Sequence, residues 1–414
     1  MITTSLRSRL LVNSDRLSLS IDELADIGKL ADGGVRRIAY SPEDLIARQR
    51  LQAWMADAGM SVRIDAAGNI IGTYAGHDPT LPALATGSHI DTVPTGGRYD
   101  GAFGVLAGLE VVRVLHERQV RLRHPLELIA FTDEEGSMIG SKAMAGHVIN
   151  DPGYYRRPDG EDIRTCLKRV GGDWDKIASA ARSRRDIAAF LELHVEQGPI
   201  LESMNSQIGV VKGIVGQRRY QITIIGQANH AGTTPMYMRQ DALVAAAKII
   251  LLVNEAASVP GQQVATVGMV NVFPNAANVV PGRVSMSLDI RDLSAFHLDS
   301  LVEKIMQQTK EIAAQTKTHI EIQPVLRTEP APAADHIQRA IVQACKSLGL
   351  IYTHLPSRAS HDAQEIATFT DMGMIFVPSK AGLSHAEAEY TSPEQCTQGA
   401  NVLLNTLLEL DEYY

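Results

Sequence analysis

Five residues of types that commonly bind metal ions each lie at or near the end of an apolar, strand-like segment. An apolar run, then a polar residue and a glycine-containing turn is how an α/β sheet presents side chains at the carboxyl ends of its strands, where such sheets bind ligands. Imidazole and carboxylate groups together suit zinc, manganese or cobalt. Five ligands exceed what a hydrolytic site with one metal ion needs, and they are enough for two ions that share a carboxylate. The five residues are His89, Asp100, Glu135, His194 and His385.

Two further acids lie beside these candidates, one that could take a proton from water and one that could orient a ligand. Asp133, Glu134 and Glu135 follow an apolar strand segment, where crowded carboxylates repel one another unless cations relieve the repulsion. With Glu135 as a ligand, Glu134 is free to act as a general base. Asp91 lies two residues after His89, on the same face of an extended segment, and is predicted to accept a hydrogen bond from the His89 ring. The alternative readings are a solvated acidic loop and a His–Asp pair satisfied within a loop.

The other ligand candidates have structural alternatives too. Asp100 could be a turn residue or the N-cap of a helix that begins near Ala102, and His194 and His385 could be isolated core or loop histidines. The pair His361-Asp362 is expected to support the site rather than to bind metal. The joint occurrence of all five candidates, in this order, favours the metal site over these alternatives.

A second group of polar residues could recognise substrate. A histidine exposed at a turn can donate a hydrogen bond to a developing oxyanion, and the alternative is a turn that leads into a helix. An arginine pairs bidentately with a carboxylate, which suggests an anionic substrate, and the alternative is a surface arginine at a strand end. These candidates are His230 in NHAGTTP, Asn278 in NAANVVPG and Arg291 after VSMSLDI.

Helices and strands alternate in the first half of the chain. Ser41-Pro42 is a helix-start signal, and apolar residues at helical spacing predict a second helix over 102–117. The alternation predicts an α/β fold with a mainly parallel sheet and helices on both faces. The predicted strands are 61–66, 69–74, 83–88 and 126–131.

The pattern changes after Val211 and predicts an inserted domain. Strands at 218–225, 263–273, 283–289 and 318–326, with helices at 241–257 and 294–315, give a β-α-β-β-α-β order of ferredoxin-like α+β type. Thr328 begins a Pro/Ala-rich linker back to the first domain, which then adds a helix at 334–348, a strand at 373–377 and a helix from about 393. The predicted domains are therefore a catalytic body, 1–211 with 329–414, and a lid, 212–328.

Composition limits the kind of protein. A chain of 414 residues predicts two domains, and a net charge of −8 argues against a nucleic-acid-binding surface. Three isolated cysteines without a CxxC fit a reducing compartment. The first twenty residues have no signal-peptide pattern, and the apolar stretch 242–253 is too short to span a membrane. We expect a cytoplasmic protein with no nucleic-acid or membrane partner.

Together these motifs are familiar. They resemble the M20-type metallohydrolases, and within them the ureido-acid amidohydrolases: allantoate amidohydrolase, N-carbamoyl-L-amino-acid hydrolase and β-ureidopropionase. A histidine at position 194, where related peptidases have an acid, favours the ureido branch. The resemblance runs from about residue 35 to the end of the chain. Its motifs are GSHIDTVPTGGRYDGAFG, FTDEEGS, ELHVEQG, GQRRY, NHAGTTPM, NVVPG, HDAQ and SHAEAE.

The resemblance implies roles for individual residues. It implies two divalent ions bridged by Asp100. The ions would be Zn²⁺ or Mn²⁺, with Co²⁺ or Ni²⁺ possible. One would be held by His89, Asp100 and His194, and the other by Asp100, Glu135 and His385. Glu134 would be the general base and Asp91 an orienting acid, while Gln217, His230, Asn278 and Arg291 would contact substrate. It also implies a homodimer through the lid domains, in which the lid histidine can serve the neighbouring subunit.

The implied reaction is cleavage of the carbamoyl C–N bond of N-carbamoyl-L-amino acids, which releases ammonia, carbon dioxide and the amino acid. Hydrolysis of allantoate is the nearest alternative. Aminoacylase or peptidase chemistry is less favoured because position 194 is not acidic. A non-catalytic protein that binds ureido acids is less favoured still, because it would be expected to lack Glu134 or a ligand, and none is missing.

Overall fold

The computed structural model describes residues 10–31, 33–259, 261 and 263–414. The chain divides into two compact units. The first contains the residues up to Gly213 together with Pro332–Tyr414, and the second is Ile214–Ala331. The boundaries expected from sequence, at 211/212 and 328/329, lie within three residues of these positions.

The first unit is a sheet with helices around it. Its strands are β1 Ser61–Ile64, β2 Ile70–Tyr74, β3 Ala83–His89, β4 Leu126–Phe131, β5 Ile187–Val195, β6 Ile208–Ile214, β14 Ala331–Pro332, β15 Tyr352–Ser357 and β16 Asp371–Val377. Its α-helices are α1 Ser14–Asp26, α2 Pro42–Asp57, α3 Ala102–Glu117, α4 Ile139–Ala145, α5 Ile163–Arg169, α6 Ile200–Ser203, α9 Asp335–Ser347, α10 Asp362–Ile366 and α11 Pro393–Tyr413.

The middle of this sheet is parallel. Strands β4, β3, β5 and β16 are neighbours in that order and run parallel, while β2 and β6 flank them in antiparallel pairing. Every residue of β3, β4 and β5 is buried, as expected for strands covered on both faces. The prediction of an α/β fold with a mainly parallel sheet is confirmed, and the helix predicted over 102–117 is confirmed at both ends.

Helix α3 lies close to the sheet and against helix α11. Thirteen of its residues are buried, so it is apolar almost all round. A Cβ at Gly104 would stand 2.2 Å from the Leu193 carbonyl oxygen, so only glycine allows α3 to approach β5 this closely. The helix begins directly after Asp100, and its packing therefore fixes where that residue lies.

Some elements of the first unit differ from the sequence prediction. The segment predicted as a linker is partly strand: Thr328 ends a strand of the second unit, and Ala331–Pro332 pairs at the edge of the large sheet. Helix α1 and strands β6 and β15 were not predicted. In α1, the buried residues Leu17, Ile21 and Leu24 do have helical spacing, which gave a usable signal. The first nine residues of the segment judged not to be a signal peptide lie outside the described residues.

The second unit contains an antiparallel sheet with two helices on one face. Its main sheet has the order β10-β12-β7-β13, with β9 also paired to β12, and helices α7 and α8 pack with it in one apolar core. One predicted strand, 263–273, is interrupted between β9 and β10, which pair with the same neighbour. The elements are β7 Gly216–Ile225, β8 Asn229–His230, α7 Ala242–Ala257, β9 Val264–Thr266, β10 Val270–Phe273, β11 Val279–Val280, β12 Arg283–Asp292, α8 Ala295–Thr316 and β13 His319–Thr328.

Among the described residues, none of the helices combines the length and apolar character needed to cross a membrane.

Candidate metal centre

Parallel strands bring the candidate ligands of the first unit to one edge of its sheet. His89 is the last residue of β3, and His194 is the last but one of β5. Glu135 follows the end of β4 by four residues, and His385 follows the end of β16 by eight. Because these four strands are parallel neighbours, their carboxyl ends meet at the same edge, where open α/β sheets bind ligands.

The side chains form two groups that share Asp100. Its Oδ1 lies 3.2 Å from His194 Nε2 and 3.7 Å from His89 Nε2. Its Oδ2 lies 3.2 Å from His385 Nε2, which is also 3.3 Å from Glu135 Oε1. Within each group the candidate ligand atoms lie within 4.8 Å of one another. Each oxygen of one carboxylate therefore faces a different group.

Two of the imidazole rings are oriented for coordination through Nε2. His89 Nδ1 is 3.0 Å from the Asp91 carbonyl oxygen, and His194 Nδ1 is 2.9 Å from the Val195 carbonyl oxygen. In a neutral ring, Nδ1–H then donates to the carbonyl, which leaves the Nε2 lone pair directed into the cluster. Nitrogen and oxygen donors of this kind fit zinc or manganese.

Glycine is required next to Asp100. The backbone of Gly101 has φ +62°, and a Cβ there would lie 2.4 Å from the His89 ring. Any other residue would displace the His89 ring or the turn that carries Asp100. The Gly after Asp100 in the sequence therefore has a packing reason as well as a turn reason.

The cluster attracts positive charge. Burial opposes the charge on His194, but its hydrogen bond to Asp100 raises the pKa of His194 to about 9. Hydrogen bonds to Asp100 and Glu135 raise the pKa of His385 to about 10. Burial, together with the nearby charges of Asp362 and Glu135, holds the pKa of Glu134 well above its usual range. The carboxylates of the cluster therefore favour a positive charge beside them, which a divalent cation would supply.

The contacts of Asp91 differ from the prediction. The His89 ring approaches the backbone carbonyl of Asp91 at 3.0 Å, while the carboxylate Oδ1 is 3.8 Å away. The carboxylate instead accepts hydrogen bonds from the backbone N–H groups of Glu134, at 3.4 Å, and Glu135, at 3.2 Å. Asp91 therefore orients the loop that carries both glutamates. At a spacing of two residues, the backbone carbonyl of Asp91 is closer to the His89 ring than its carboxylate is, so the carbonyl accepts from the ring.

His361 and Asp362 lie behind the ligands, as support for the site. The His361 ring packs edge-on against the His194 ring, with centroids 4.6 Å apart, and its Nε2 is 2.9 Å from Ser357 Oγ. Glu192, His194 and His361 form another group within ligand distance. The Glu192 oxygens, however, accept from Ser88 Oγ at 2.7 Å and from the backbone N–H of residue 363 at 3.0 Å. We therefore favour the two groups that share Asp100.

Three residues that contact the centre were not singled out from the sequence. Gln197 Nε2 donates to Asp100 Oδ2 at 2.9 Å, and Ser384 Oγ lies 3.0 Å from the same oxygen. The buried Glu389 accepts from the backbone N–H of Asp100 at 3.0 Å. Gln197 and Glu389 occur inside the motifs ELHVEQG and SHAEAE. Their position in these motifs could have indicated a role at the site, although their residue types alone did not.

In the second unit, the predicted substrate residues fall into two pairs. His230 lies opposite Val279 in the β8–β11 pairing, and the Asn278 carbonyl accepts from the backbone N–H of residue 231 at 2.9 Å. His230 Nδ1 accepts from the Gly232 N–H at 3.0 Å, so a neutral ring carries its proton on an exposed Nε2. Arg291 lies directly opposite Gln217 in the β12–β7 ladder.

These two pairs lie toward opposite ends of strand β7, and the His230 pair belongs to a separate two-stranded sheet, β8–β11. Gln217 is at the start of β7, and the His230 pair lies beyond its last residue, Ile225. The eight residues from Gln217 to Ile225 span about 27 Å at about 3.4 Å per residue. One small substrate cannot contact both pairs of the same unit.

The chain matches known proteins over most of its length. A family model described as peptidase family M20/M25/M40 matches residues 85–409. An enzyme named N-carbamoyl-L-amino acid amidohydrolase, from Geobacillus stearothermophilus, is 39% identical over 97% of this chain and 99% of its own. The allantoate amidohydrolase of Bacillus subtilis is 36% identical over 94% of this chain and 96% of its own.

A solved structure has the same fold throughout. It is an amidase of the hydantoinase/carbamoylase family from Burkholderia multivorans, 37% identical, with a TM-score of 0.91 over 97% of this chain and 98% of that one. The chain belongs to peptidase family M20/M25/M40. The predicted resemblance to its ureido-acid amidohydrolases is confirmed, as is the prediction of a hydrolase of this kind.

Proposed function

We propose that the two groups sharing Asp100 bind two divalent ions. His89, Asp100 and His194 would hold one, and Asp100, Glu135 and His385 the other. The support is the division of the Asp100 oxygens between the groups, at 3.2 Å from a histidine nitrogen on each side. Zn²⁺ or Mn²⁺ fits these donors, and Co²⁺ or Ni²⁺ is compatible. When bound, such ions polarise a carbonyl group and make water more acidic.

The reaction that this site supports best is hydrolysis of the carbamoyl C–N bond of N-carbamoyl-L-amino acids. The products are ammonia, carbon dioxide and the amino acid. The single observation that carries the substrate class is the near full-length match to a relative named for this reaction. The carboxylate shared by the two groups supports hydrolytic chemistry. Two ions held side by side would offer positions for both the water and the attacked carbonyl group, and a hydrolytic site needs both.

Glu134 is the residue that we assign to proton transfer. Its Oε2 lies 3.5 Å from His89 Nε2, and its side chain keeps about 10% of its surface exposed. It takes a proton from the attacking water and returns it to the leaving nitrogen, the two transfers that one general acid–base residue can carry out. Asp91 holds the backbone on both sides of this residue and so fixes the direction in which the carboxylate points.

The second unit supplies substrate recognition and acts as a lid. Arg291 is positioned by Asp289, whose Oδ1 accepts from its Nε at 2.8 Å. We assign the substrate carboxylate to Arg291, with Gln217 beside it, because a guanidinium suits a carboxylate. His230, with its exposed Nε2–H, is assigned to the oxyanion, and Asn278 supports it.

The separation of the two pairs supports a homodimer as part of this proposal. Because the His230 pair and the Arg291 pair lie toward opposite ends of strand β7, we assign to each complete site one pair from each of two chains. The second unit also has exposed apolar surface suited to this assembly. Helix α7 exposes Leu243, Val244 and Leu251, and Met236 and Tyr237 are 75% and 76% exposed. The cytoplasmic location expected from the cysteine content stays a prediction.

Allantoate is the second candidate substrate. It carries the same ureido group and a carboxylate, and the relative named allantoate amidohydrolase matches almost as much of the chain. Both substrates would use the same residues. They differ in the group attached to the α-carbon, and the residues named above do not distinguish the two.

A substrate panel tests the proposal. Metal-stripped protein, reloaded with Mn²⁺ or Zn²⁺, is incubated with L- and D-N-carbamoyl-amino acids, N-carbamoyl-β-alanine, allantoate, an N-acetyl-amino acid and a dipeptide, and ammonia and free amine are measured. We expect ammonia from the L-carbamoyl compounds and no product from the last two. Turnover of allantoate alone would select the second candidate. Amine release from the N-acetyl compound or the dipeptide alone would refute the ureido assignment.

A further inference from the structure

Glu389 is a buried carboxylate that joins the two loops of the metal centre that are farthest apart in sequence. It lies four residues after His385 and contacts the turn that carries Asp100, 289 residues earlier. We propose that Glu389 is a positioning residue that sets the affinity of the ion held by Asp100, Glu135 and His385. The inference rests on the proposed metal centre and assigns Glu389 no contact with metal or substrate.

On one side, Glu389 holds the Asp100 turn. Its Oε1 accepts hydrogen bonds from the backbone N–H groups of Tyr99, at 2.9 Å, and Asp100, at 3.0 Å. The turn is closed tightly over the carboxylate, because a Cβ at Gly97 would stand 2.2 Å from Glu389 Oε1. Two charge-assisted hydrogen bonds to consecutive N–H groups fix the direction in which Asp100 leaves the backbone.

On the other side, Glu389 holds the His385 loop. Its Oε2 lies 2.8 Å from Ser384 Oγ, and the same hydroxyl lies 3.0 Å from Asp100 Oδ2. A hydroxyl has one hydrogen, so Ser384 donates to one of these carboxylates at a time. The position next to His385 is thus tied to both carboxylates. His385 itself has φ +54° and a half-exposed side chain, so it depends on its loop for its position.

The other ion site depends less on Glu389. His89 and His194 lie on strand ends, and carbonyl oxygens of their own segments orient the rings. The group Asp100, Glu135 and His385 has two of its three members on loops that Glu389 holds. Loss of Glu389 should therefore weaken the second group more than the first, although Asp100 belongs to both.

The experiment measures metal binding in the absence of substrate. Full-length Glu389→Ala protein is stripped of metal and titrated with Mn²⁺, with bound ion counted by equilibrium dialysis and the spin coupling between paired ions followed by electron paramagnetic resonance. We expect the second Mn²⁺ to bind about 10- to 100-fold more weakly, the usual cost of losing an outer contact of a ligand. At the Mn²⁺-to-protein ratio that saturates both sites of the wild type, the variant should show the six-line signal of uncoupled Mn²⁺ instead of the signal of the coupled pair. Glu387→Ala, an exposed glutamate of the same loop, is the matched control.

Two more variants keep the inference open to refutation. Ser384→Ala removes the hydroxyl that contacts Glu389 and Asp100 Oδ2 but leaves both backbone N–H contacts of Glu389 in place, so it should weaken the second ion less than Glu389→Ala does. Glu389→Gln keeps an oxygen for the Tyr99 and Asp100 N–H groups and should recover part of the affinity. If Glu389→Ala does not fold, as judged by circular dichroism, the Ser384→Ala and Glu389→Gln proteins decide.

The outcomes separate this inference from the proposed function. A folded Glu389→Ala protein that binds two Mn²⁺ ions as tightly as wild type overturns the role of Glu389 and leaves the reaction untouched. Equal weakening by Glu387→Ala also overturns it. A wild-type protein that binds two ions but releases no ammonia from any ureido acid refutes the proposed reaction, while the Glu389 result stands.

Discussion

The metal cluster of the first unit and the substrate residues of the second are organised in opposite ways. In the first unit, ligands from distant parts of the chain meet within a few ångströms, on strand ends and turns that are largely buried. In the second, Gln217 and Arg291 lie at one end of β7, which spans about 27 Å from Gln217 to Ile225, and His230 and Asn278 follow its other end. The groups that we assign to metal binding and proton transfer all come from one chain, but the recognition groups that we assign come from two.

Because of this difference, the effects of substitutions in the two regions should depend on different things: local geometry in the first unit and dimer assembly in the second. A preorganised cluster keeps its geometry whether or not substrate is present, so its variants should change chemistry or metal affinity directly. Recognition groups that are divided between two chains depend on assembly, so their variants should be rescued by a partner that carries the missing group. The following predictions test each half of this comparison.

The largest effect is expected inside the cluster. Glu134→Gln should lower the turnover number by about 100- to 10,000-fold, because a general base and acid is lost. The side chain keeps its size, and neither proposed ion site includes it, so two ions should still bind. Steady-state ammonia release and metal content measured on the same sample check the prediction.

Two results for Glu134→Gln would contradict the role assigned to Glu134. A Glu134→Gln protein that retains its metals and turns over at more than about a tenth of the wild-type rate would exclude the assigned role. Loss of metal together with activity would instead make Glu134 a ligand, which the group formed by His89, Glu134 and Glu135 allows geometrically. Asp91→Asn, which alters the hold on the loop, should give a smaller loss than Glu134→Gln.

The second prediction concerns the divided recognition groups. Arg291→Ala and His230→Ala proteins should each lose about 100-fold or more of their activity at low substrate concentration, by loss of the carboxylate and oxyanion contacts. In mixed dimers, one of the two sites should regain an intact Arg291 and an intact His230. The purified mixed dimers should therefore show about half of the wild-type activity.

Co-expression with two different affinity tags provides the mixed dimers, and tandem purification separates them from the parents. The control pairs Arg291→Ala with Gln217→Ala, which lie in the same pair, and these mixed dimers should stay inactive. Recovery in this control, or no recovery in the first mixture, would show that the two pairs do not serve different chains.

Sequence was a good guide to the cluster because each ligand follows a strong local pattern. His89 and His194 follow apolar runs that form fully buried strands, and the parallel order then brings their ends together. The contacts of Glu389 were beyond this reasoning, since they join residues 289 or more positions apart and use backbone N–H groups. The separation of His230 from Arg291 was hidden too, because it follows from the β7–β12 register and not from the spacing of the motifs.

The smallest effect is a dependence of stability on pH: the stability of the metal-free protein should fall as pH rises, while the stabilisation by metal should grow. Without an ion, the pKa values of His194, about 9, and His385, about 10, exceed the ordinary value of about 6.5. Their stabilisation is complete below about pH 6.5 and is lost as pH rises through the folded-state values. The raised pKa values of the buried Glu134 and Asp91 act in the same direction.

In a chelator, the melting temperature of the metal-free protein should therefore fall by roughly 2–5 °C between pH 6.5 and 8.5. Coordination requires deprotonated imidazoles, so the increase in melting temperature caused by Mn²⁺ should grow over the same range. His385→Asn should flatten both trends, whereas His319→Asn, at an exposed histidine of the second unit, should leave them unchanged. A metal-free melting temperature that rises with pH would show that the cluster does not hold protons in place of cations, and with it the electrostatic argument for two ions in the first unit would be lost.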